Sequence, residues 1–105
     1  MSRTDFALWL EFEHWVWSDA DDPEDDFFNM EISFPDGRKY ALNVWTFKFL
    51  DRARQDDRAT GENLSSCHLH PPDLFIERLD RKLVVEVVRD MMDRHGLKDE
   101  WLVRS

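Results

Sequence analysis

At 105 residues, 42% of them hydrophobic, the chain has the size of one ordinary domain and enough apolar surface for one core, so we exclude a second domain and expect a single domain over residues 1–105. Asp and Glu number 23 against 14 Lys and Arg, and because the basic residues lie beside acids rather than in a patch, the formal charge of −9 disfavours binding to nucleic acid or to an anionic membrane. Cys67 is the only cysteine and no signal peptide or membrane-spanning stretch is visible, so we expect a soluble, cytoplasmic protein without disulfides.

The first predicted element is one long strand from Phe6 to Trp17. Large apolar side chains occupy the even positions from Phe6 to Phe12, whereas the odd positions mix tryptophan with glutamate, which is typical of a strand with one buried and one open face. The stretch from Ser18 to Asp26 then holds a proline and six acids, and this composition predicts a loop.

Two further strands are predicted from the same alternation. Phe27 to Phe34 and Lys39 to Trp45 each place their apolar residues on one side. Between them, Pro35-Asp36-Gly37-Arg38 has the composition of a hairpin turn. Together with the first strand, these segments predict a three-stranded antiparallel meander.

The second half of the chain begins with a predicted short helix. Apolar residues take helical spacing after Thr46, either Thr46 or Asn43 can act as the N-cap, and Gly61 is placed to end the segment. We therefore expect a helix that extends to about Arg58. The compact apolar run Leu74-Phe75-Ile76 then predicts a short fourth strand.

A second, amphipathic helix is predicted near the end of the chain. Asp80 is a good N-cap, and the apolar stripe that follows ends at His95 and Gly96. The stripe consists of Leu83, Val84, Val87, Val88, Met91 and Met92. Beyond it, we expect the end of the chain either to dock through Trp101 and Leu102 or to fray.

The predicted fold class is α+β, in the order β-β-β-α-β-α, with both helices packed on the apolar face of the sheet. The other face is predicted to be open and rich in tryptophan and acids, which favours a protein-interaction surface because Trp anchors dominate interface energetics. The predicted partner-binding residues on that face are Trp9, Glu11, Glu13, Trp15, Trp17, Glu31 and Trp45. Internal packing of the tryptophans, or a homodimer that pairs this face with itself, are the alternatives.

The acidic loop is the second predicted contact region. Its charge can steer a basic partner or attract a hard cation such as calcium, but the central glycine and final glutamate of a calcium-binding loop are missing. The acids predicted to face the partner are Asp21, Asp22, Glu24, Asp25 and Asp26. The alternative is a loop that is merely solvated.

A small enzyme is the alternative from another functional class. The candidate metal ligands are Cys67, His68 and His70, with His14, His95 or a distant acid as a further ligand. The candidate carboxylates for acid–base chemistry are Glu11, Glu13 and Glu31. The spacing of the Cys and His residues matches no zinc motif. A three-stranded face offers the carboxylates no evident cleft for a substrate. The sequence also holds no phosphate-binding or dinucleotide-binding motif. We therefore predict no metal site and no cofactor, and favour a protein that is not an enzyme.

Two segments resemble a known kind of protein. YALNVWTFKFL, residues 40 to 50, and PPDLFIERLDRKLVVEVVRDMM, residues 71 to 92, look like small bacterial α+β immunity-type proteins that accompany secreted toxins. The resemblance covers roughly residues 27 to 95 and assigns no individual residue. It implies a cytoplasmic, often acidic, non-catalytic protein that occludes the active site of a toxin. The leading hypothesis is therefore an acidic interaction module that neutralises a basic toxin or enzyme.

Overall fold

The protein contains one four-stranded sheet in the order β1-β2-β3-β4, seen in a computed structural model that describes residues 5–104. The strands are β1 (Ala7–Leu10), β2 (Phe27–Ser33), β3 (Lys39–Thr46) and β4 (Leu74–Ile76). The first three run antiparallel, and β4 adds to the free edge of β3 in parallel. The predicted meander with its short fourth strand is confirmed.

Three helices and two short 3-10 turns make up the remaining regular structure of residues 5–104. They are α1 (Phe47–Thr60), α2 (Glu62–Ser66), α3 (Arg81–Arg94) and the 3-10 turns Glu11–His14 and Asp99–Trp101. The α+β class and the predicted order of the main elements are confirmed. Within residues 5–104, no helix has the length and apolar character needed to cross a membrane.

The helix boundaries follow the capping residues read from the sequence. The Thr46 hydroxyl accepts the Phe49 N–H at the start of α1, and Gly61 ends that helix with a φ of 82°. The Asp80 carboxylate caps α3 by accepting the Lys82 N–H. α2 is a left-handed turn, in which residues 63, 64 and 65 have φ values of 51°, 53° and 55°.

The buried core lies between the sheet and α3. Alternate strand residues supply most of it, as the period of two predicts. The strand residues of the core are Leu10, Phe28, Met30, Ile32, Tyr40, Leu42, Val44 and Ile76. Val84 and Val88 supply the contact from α3, and Val87, Met91 and Met92 pack at its margin. The apolar stripe of this helix therefore covers one face of the sheet, and α3 does not cover the other face.

The two longer helices contribute unequally to that core. We expected both over the apolar face, and α3 lies there. The first turn of α1 instead places the Phe49 ring against side chains of the other face, with ring centroids 5.1 Å from Phe27 and 5.0 Å from Trp45. Asp57 is the only buried residue within α1. The first turn of α1 therefore borders the second face at one end.

The prediction of one strand from Phe6 to Trp17 is wrong beyond Leu10. From Glu11 the chain enters a 3-10 turn, which inserts Phe12 into the core. The ring centroids of Phe12 and Phe28 lie 4.8 Å apart in an edge-to-face arrangement. An alternating pattern cannot separate these two structures, because Phe12 is buried in both. The turn removes every later side chain of this segment from the strand.

The last described segment, around Trp101 and Leu102, docks on the sheet, whereas Ser105 lies outside the described residues. Trp101 is buried, and Leu102 forms an antiparallel bridge with Tyr40. The Val103 N–H donates to the Lys39 carbonyl over 2.8 Å. This segment and β4 therefore share the outer edge of β3.

Candidate interaction face

The sheet face opposite α3, here called the open face, carries the alternate side chains that the core does not use. Its members are Ala7, Trp9, Phe27, Asn29, Glu31, Ser33, Lys39, Ala41, Asn43, Trp45 and Phe75. Trp9 is 43% exposed and Phe27 is 46% exposed, which are high values for such large apolar side chains. Exposed rings on a sheet face are unfavourable in water unless something else covers them. This face is therefore the strongest candidate for a binding surface.

Strand register arranges the open face in rows. Trp9, Glu31 and Ala41 form one row across β1, β2 and β3. Asn29 and Asn43 face each other in the next row. The pairing of the strands thus determines which side chains are neighbours on the open face.

Two carboxylates close the asparagine row at its two ends. Glu11 Oε1 accepts the Asn29 backbone N–H over 2.9 Å and lies 3.4 Å from its side-chain amide nitrogen. Asp73 Oδ2 accepts the Asn43 backbone N–H over 2.7 Å, while the Asp73 N–H donates to the Asn43 carbonyl over 2.9 Å. Each carboxylate replaces a strand that stops short: β1 has already turned away, and β4 has not yet begun. The predicted contact residue Glu11 therefore stays beside the open face although its strand does not continue.

A depression of about 370 Å³ lies between these two rows. Its lining consists of Trp9, Asn29, Met30, Glu31, Ala41, Leu42, Asn43 and Asp73. Ala41 leaves the space open because its side chain is the smallest in its row. The sequence predicted no evident cleft on this face. The depression follows from the strand register, which places Ala41 in one row with the larger Glu31 and Trp9. The Trp9 indole stacks on His14 with centroids 5.3 Å apart.

An aromatic cluster occupies the end of the open face where α1 begins. Its members are Phe27, Trp45, Phe47, Phe49 and Phe75. Phe47 stacks on Phe75 at 5.9 Å and remains 51% exposed. Among these residues, only Trp45 had been named as a partner contact. The sequence signals for the rest were the closely spaced Phe47 and Phe49 at a helix start and the central Phe75 of the fourth strand.

Three other predicted contact residues do not lie on the open face. Glu13 forms an ion pair with Arg81 at the start of α3, with Oε2 and Nε 2.8 Å apart, and the hydrogen bond from Arg81 lowers the pKa of Glu13. Trp15 is half-buried against the core. Trp17 donates its indole N–H to the Phe12 carbonyl over 2.8 Å. The turn after Leu10 is the cause, because it carries all three away from the sheet.

The acidic loop is folded against α1 rather than fully free. Lys48 Nζ lies 2.7 Å from Asp22, and Arg52 Nε lies 2.9 Å from both oxygens of Asp25. The hydrogen bond from Lys48 lowers the pKa of Asp22.

The other acids of the loop differ in their contacts. Asp21 accepts the Ser18 N–H, Asp26 accepts the Phe27 N–H, and Glu24 remains exposed. Part of the negative charge that was predicted to attract a basic partner is therefore engaged in contacts within the molecule.

The candidate metal ligands are not brought together. Across residues 5–104, no group of three or more His, Cys, Asp or Glu side chains is placed to hold a metal ion. Cys67, His68 and His70 are exposed, and His14 lies against the Trp9 indole. The open face thus remains the best candidate site. When the chain was compared with models of protein families, with curated proteins and with solved structures, none of them matched it.

Proposed function

We propose that this protein is a non-catalytic interaction module that binds a basic partner protein through its open face. The observation that supports the proposal is the combination of exposed rings and carboxylates on one uncovered sheet surface. Trp9 and Phe27 are both more than two-fifths exposed. Glu31 lies in the same row as Trp9, and Glu11 and Asp73 flank the asparagine row beside it.

The two kinds of side chain have separate tasks. Large rings that become buried at the centre of an interface supply most of the binding energy. Carboxylates supply complementarity to a basic partner and speed up association, an effect that weakens as salt is added. The net charge of −9 acts in the same direction over longer distances.

The immunity-type resemblance supports a narrower version of the proposal. In this version the partner is a basic toxin or enzyme, and the open face occludes its active site in the cytoplasm. An acidic, non-catalytic module with an exposed aromatic surface fits that task. The narrower version makes its own prediction, because the partner must be harmful when it is produced alone.

The experiment compares variants on and off the open face, with the full chain as affinity bait in lysate of the native host. Trp9→Ala and Glu31→Lys alter the open face. Trp17→Ala and Glu86→Lys are matched controls, because Trp17 is also partly exposed and Glu86 is an exposed acid on α3. Circular dichroism establishes that each variant is folded, and light scattering reports any dimer.

We expect the wild type and the controls to retain one basic protein that Trp9→Ala and Glu31→Lys lose. The proposal is wrong if the open-face variants retain that protein as well as the controls do. It is also wrong if light scattering shows a dimer that only the open-face variants dissociate. Producing the captured protein alone and with this chain then tests the narrower version: growth arrest that co-production relieves supports it, and a harmless partner removes it.

A further inference from the structure

The depression in the open face has walls of two different kinds. Trp9 stands on β1 at one side, and Asp73 lies beyond β3 at the other, with the floor at Ala41 between them. Glu31 borders the floor as the cross-strand partner of both Trp9 and Ala41. An aromatic wall and two carboxylates thus surround a space of about 370 Å³.

Every polar side chain of the lining contains an acceptor. Glu31 and Asp73 are carboxylates, and the side-chain amides of Asn29 and Asn43 each contain a carbonyl oxygen beside their NH2 donor. No Lys or Arg is among the lining residues. Lys39, which does not line the depression, pairs with Glu31, with Nζ and Oε1 3.5 Å apart and both side chains exposed. Because an exposed pair of this kind contributes little, it does not prevent another cation from approaching Glu31.

Several of these acceptors are held in place before any ligand arrives. Asp73 is fixed by its two hydrogen bonds with the Asn43 backbone. Asn29 is fixed through Glu11, which accepts from both its backbone and its side chain. Binding therefore requires little reordering of the lining, which favours affinity.

We propose that the depression takes one guanidinium group, an arginine side chain of the basic partner, as the anchor of the interface. A guanidinium is flat and can stack on an indole, and its five N–H donors suit a ring of acceptors. Its weak hydration makes it cheaper to transfer from water than an ammonium group. This inference rests on the proposed function, since it names the chemistry by which the partner is recognised.

The probe for this site is N-acetyl-argininamide, and the control ligand is N-acetyl-citrullinamide, which has nearly the same shape without the charge. Titration is followed by ¹H–¹⁵N NMR of the full chain in low salt. We expect saturable shifts of the Trp9 indole N–H and of the Asn29 and Asn43 side-chain amides, with a Kd on the order of 1 mM for so small a ligand. Citrullinamide should produce no saturable shift at these positions.

Filling the depression is the matching perturbation. Ala41→Leu should abolish the shifts, whereas Ala7→Leu, which alters an exposed alanine of the same face outside the lining of the depression, should leave them unchanged. Equal shifts with citrullinamide, shifts confined to the acidic loop, or shifts that survive Ala41→Leu would overturn the proposal.

The same variant separates this inference from the proposed function. If Ala41→Leu still captures the partner while Trp9→Ala does not, the arginine anchor is wrong and the interaction face stands. If argininamide binds as expected but every open-face variant still captures the partner, the pocket stands and the proposed function is wrong.

Discussion

Replacing Thr46 by valine should destabilise the fold by about 2 kcal/mol, although valine has almost the same shape. Thr46 has no exposed surface, and its hydroxyl oxygen accepts two backbone hydrogen bonds, from Phe49 at 3.1 Å and from Asp26 at 3.2 Å. Loss of the first removes the N-cap of α1, which costs about 1 kcal/mol. Loss of the second leaves the Asp26 N–H without its acceptor at a half-buried position, which costs about 1 kcal/mol more.

The matched control is Thr46→Ser, which keeps the hydroxyl and removes one buried methyl group at a cost of about 1 kcal/mol. Urea unfolding followed by circular dichroism gives the free energy of unfolding of the wild type and both variants. We expect the valine variant to be the least stable of the three. If it is as stable as the serine variant or more so, burial of the methyl group dominates at Thr46 and the two hydrogen bonds do not stabilise the fold.

Three further changes test other parts of the fold. Gly61→Ala should cost about 1 kcal/mol in urea unfolding, because Gly61 has a φ of 82° and open space around it, so backbone strain alone opposes the new methyl. Glu13→Gln should lower stability by at most about 1 kcal/mol at pH 7, since Arg81 and Glu13 are both partly exposed. The pKa of Glu13 lies below its ordinary value of 4.5, so the difference from wild type should persist above that pH and disappear as the pH falls through the lowered pKa. Trp101→Ala should cost about 3 kcal/mol and increase amide exchange at Val103, whose N–H donates to Lys39; unchanged exchange would mean that docking does not depend on the indole.

Most of the fold could be predicted because local signals and the global arrangement agree. The turn between β2 and β3, the Thr46 and Asp80 caps and the stripe of α3 each have a local chemical cause that tertiary contacts do not override. The parallel pairing of β4 with β3 could not be predicted in this way, because it depends on how far the intervening segment travels.

The largest error came from a segment in which two structures bury the same side chain. Phe12 points into the core whether its segment is a strand or a 3-10 turn, so the alternation of apolar residues cannot distinguish the two structures. In the structure the Asn29 N–H finds its acceptor in the Glu11 side chain rather than in a continuing strand, a contact between residues 18 positions apart. No local pattern contains that information. As a result, Trp9 was placed correctly on the open face and Trp15 and Trp17 were not.

The fixed carboxylates at the two edges of the open face result from where the strands end. Had β1 continued past Leu10, the next residues of the strand would have extended the sheet edge, and the Asn29 N–H would have paired with backbone. Because the chain turns, the Glu11 carboxylate accepts the Asn29 N–H in place of a strand carbonyl, just as Asp73 accepts the Asn43 N–H on the opposite edge. The two places where the sheet lacks a strand are thus the two places where it gains a fixed negative group. On a sheet this small, strand length therefore sets the charge of the open face as well as its width.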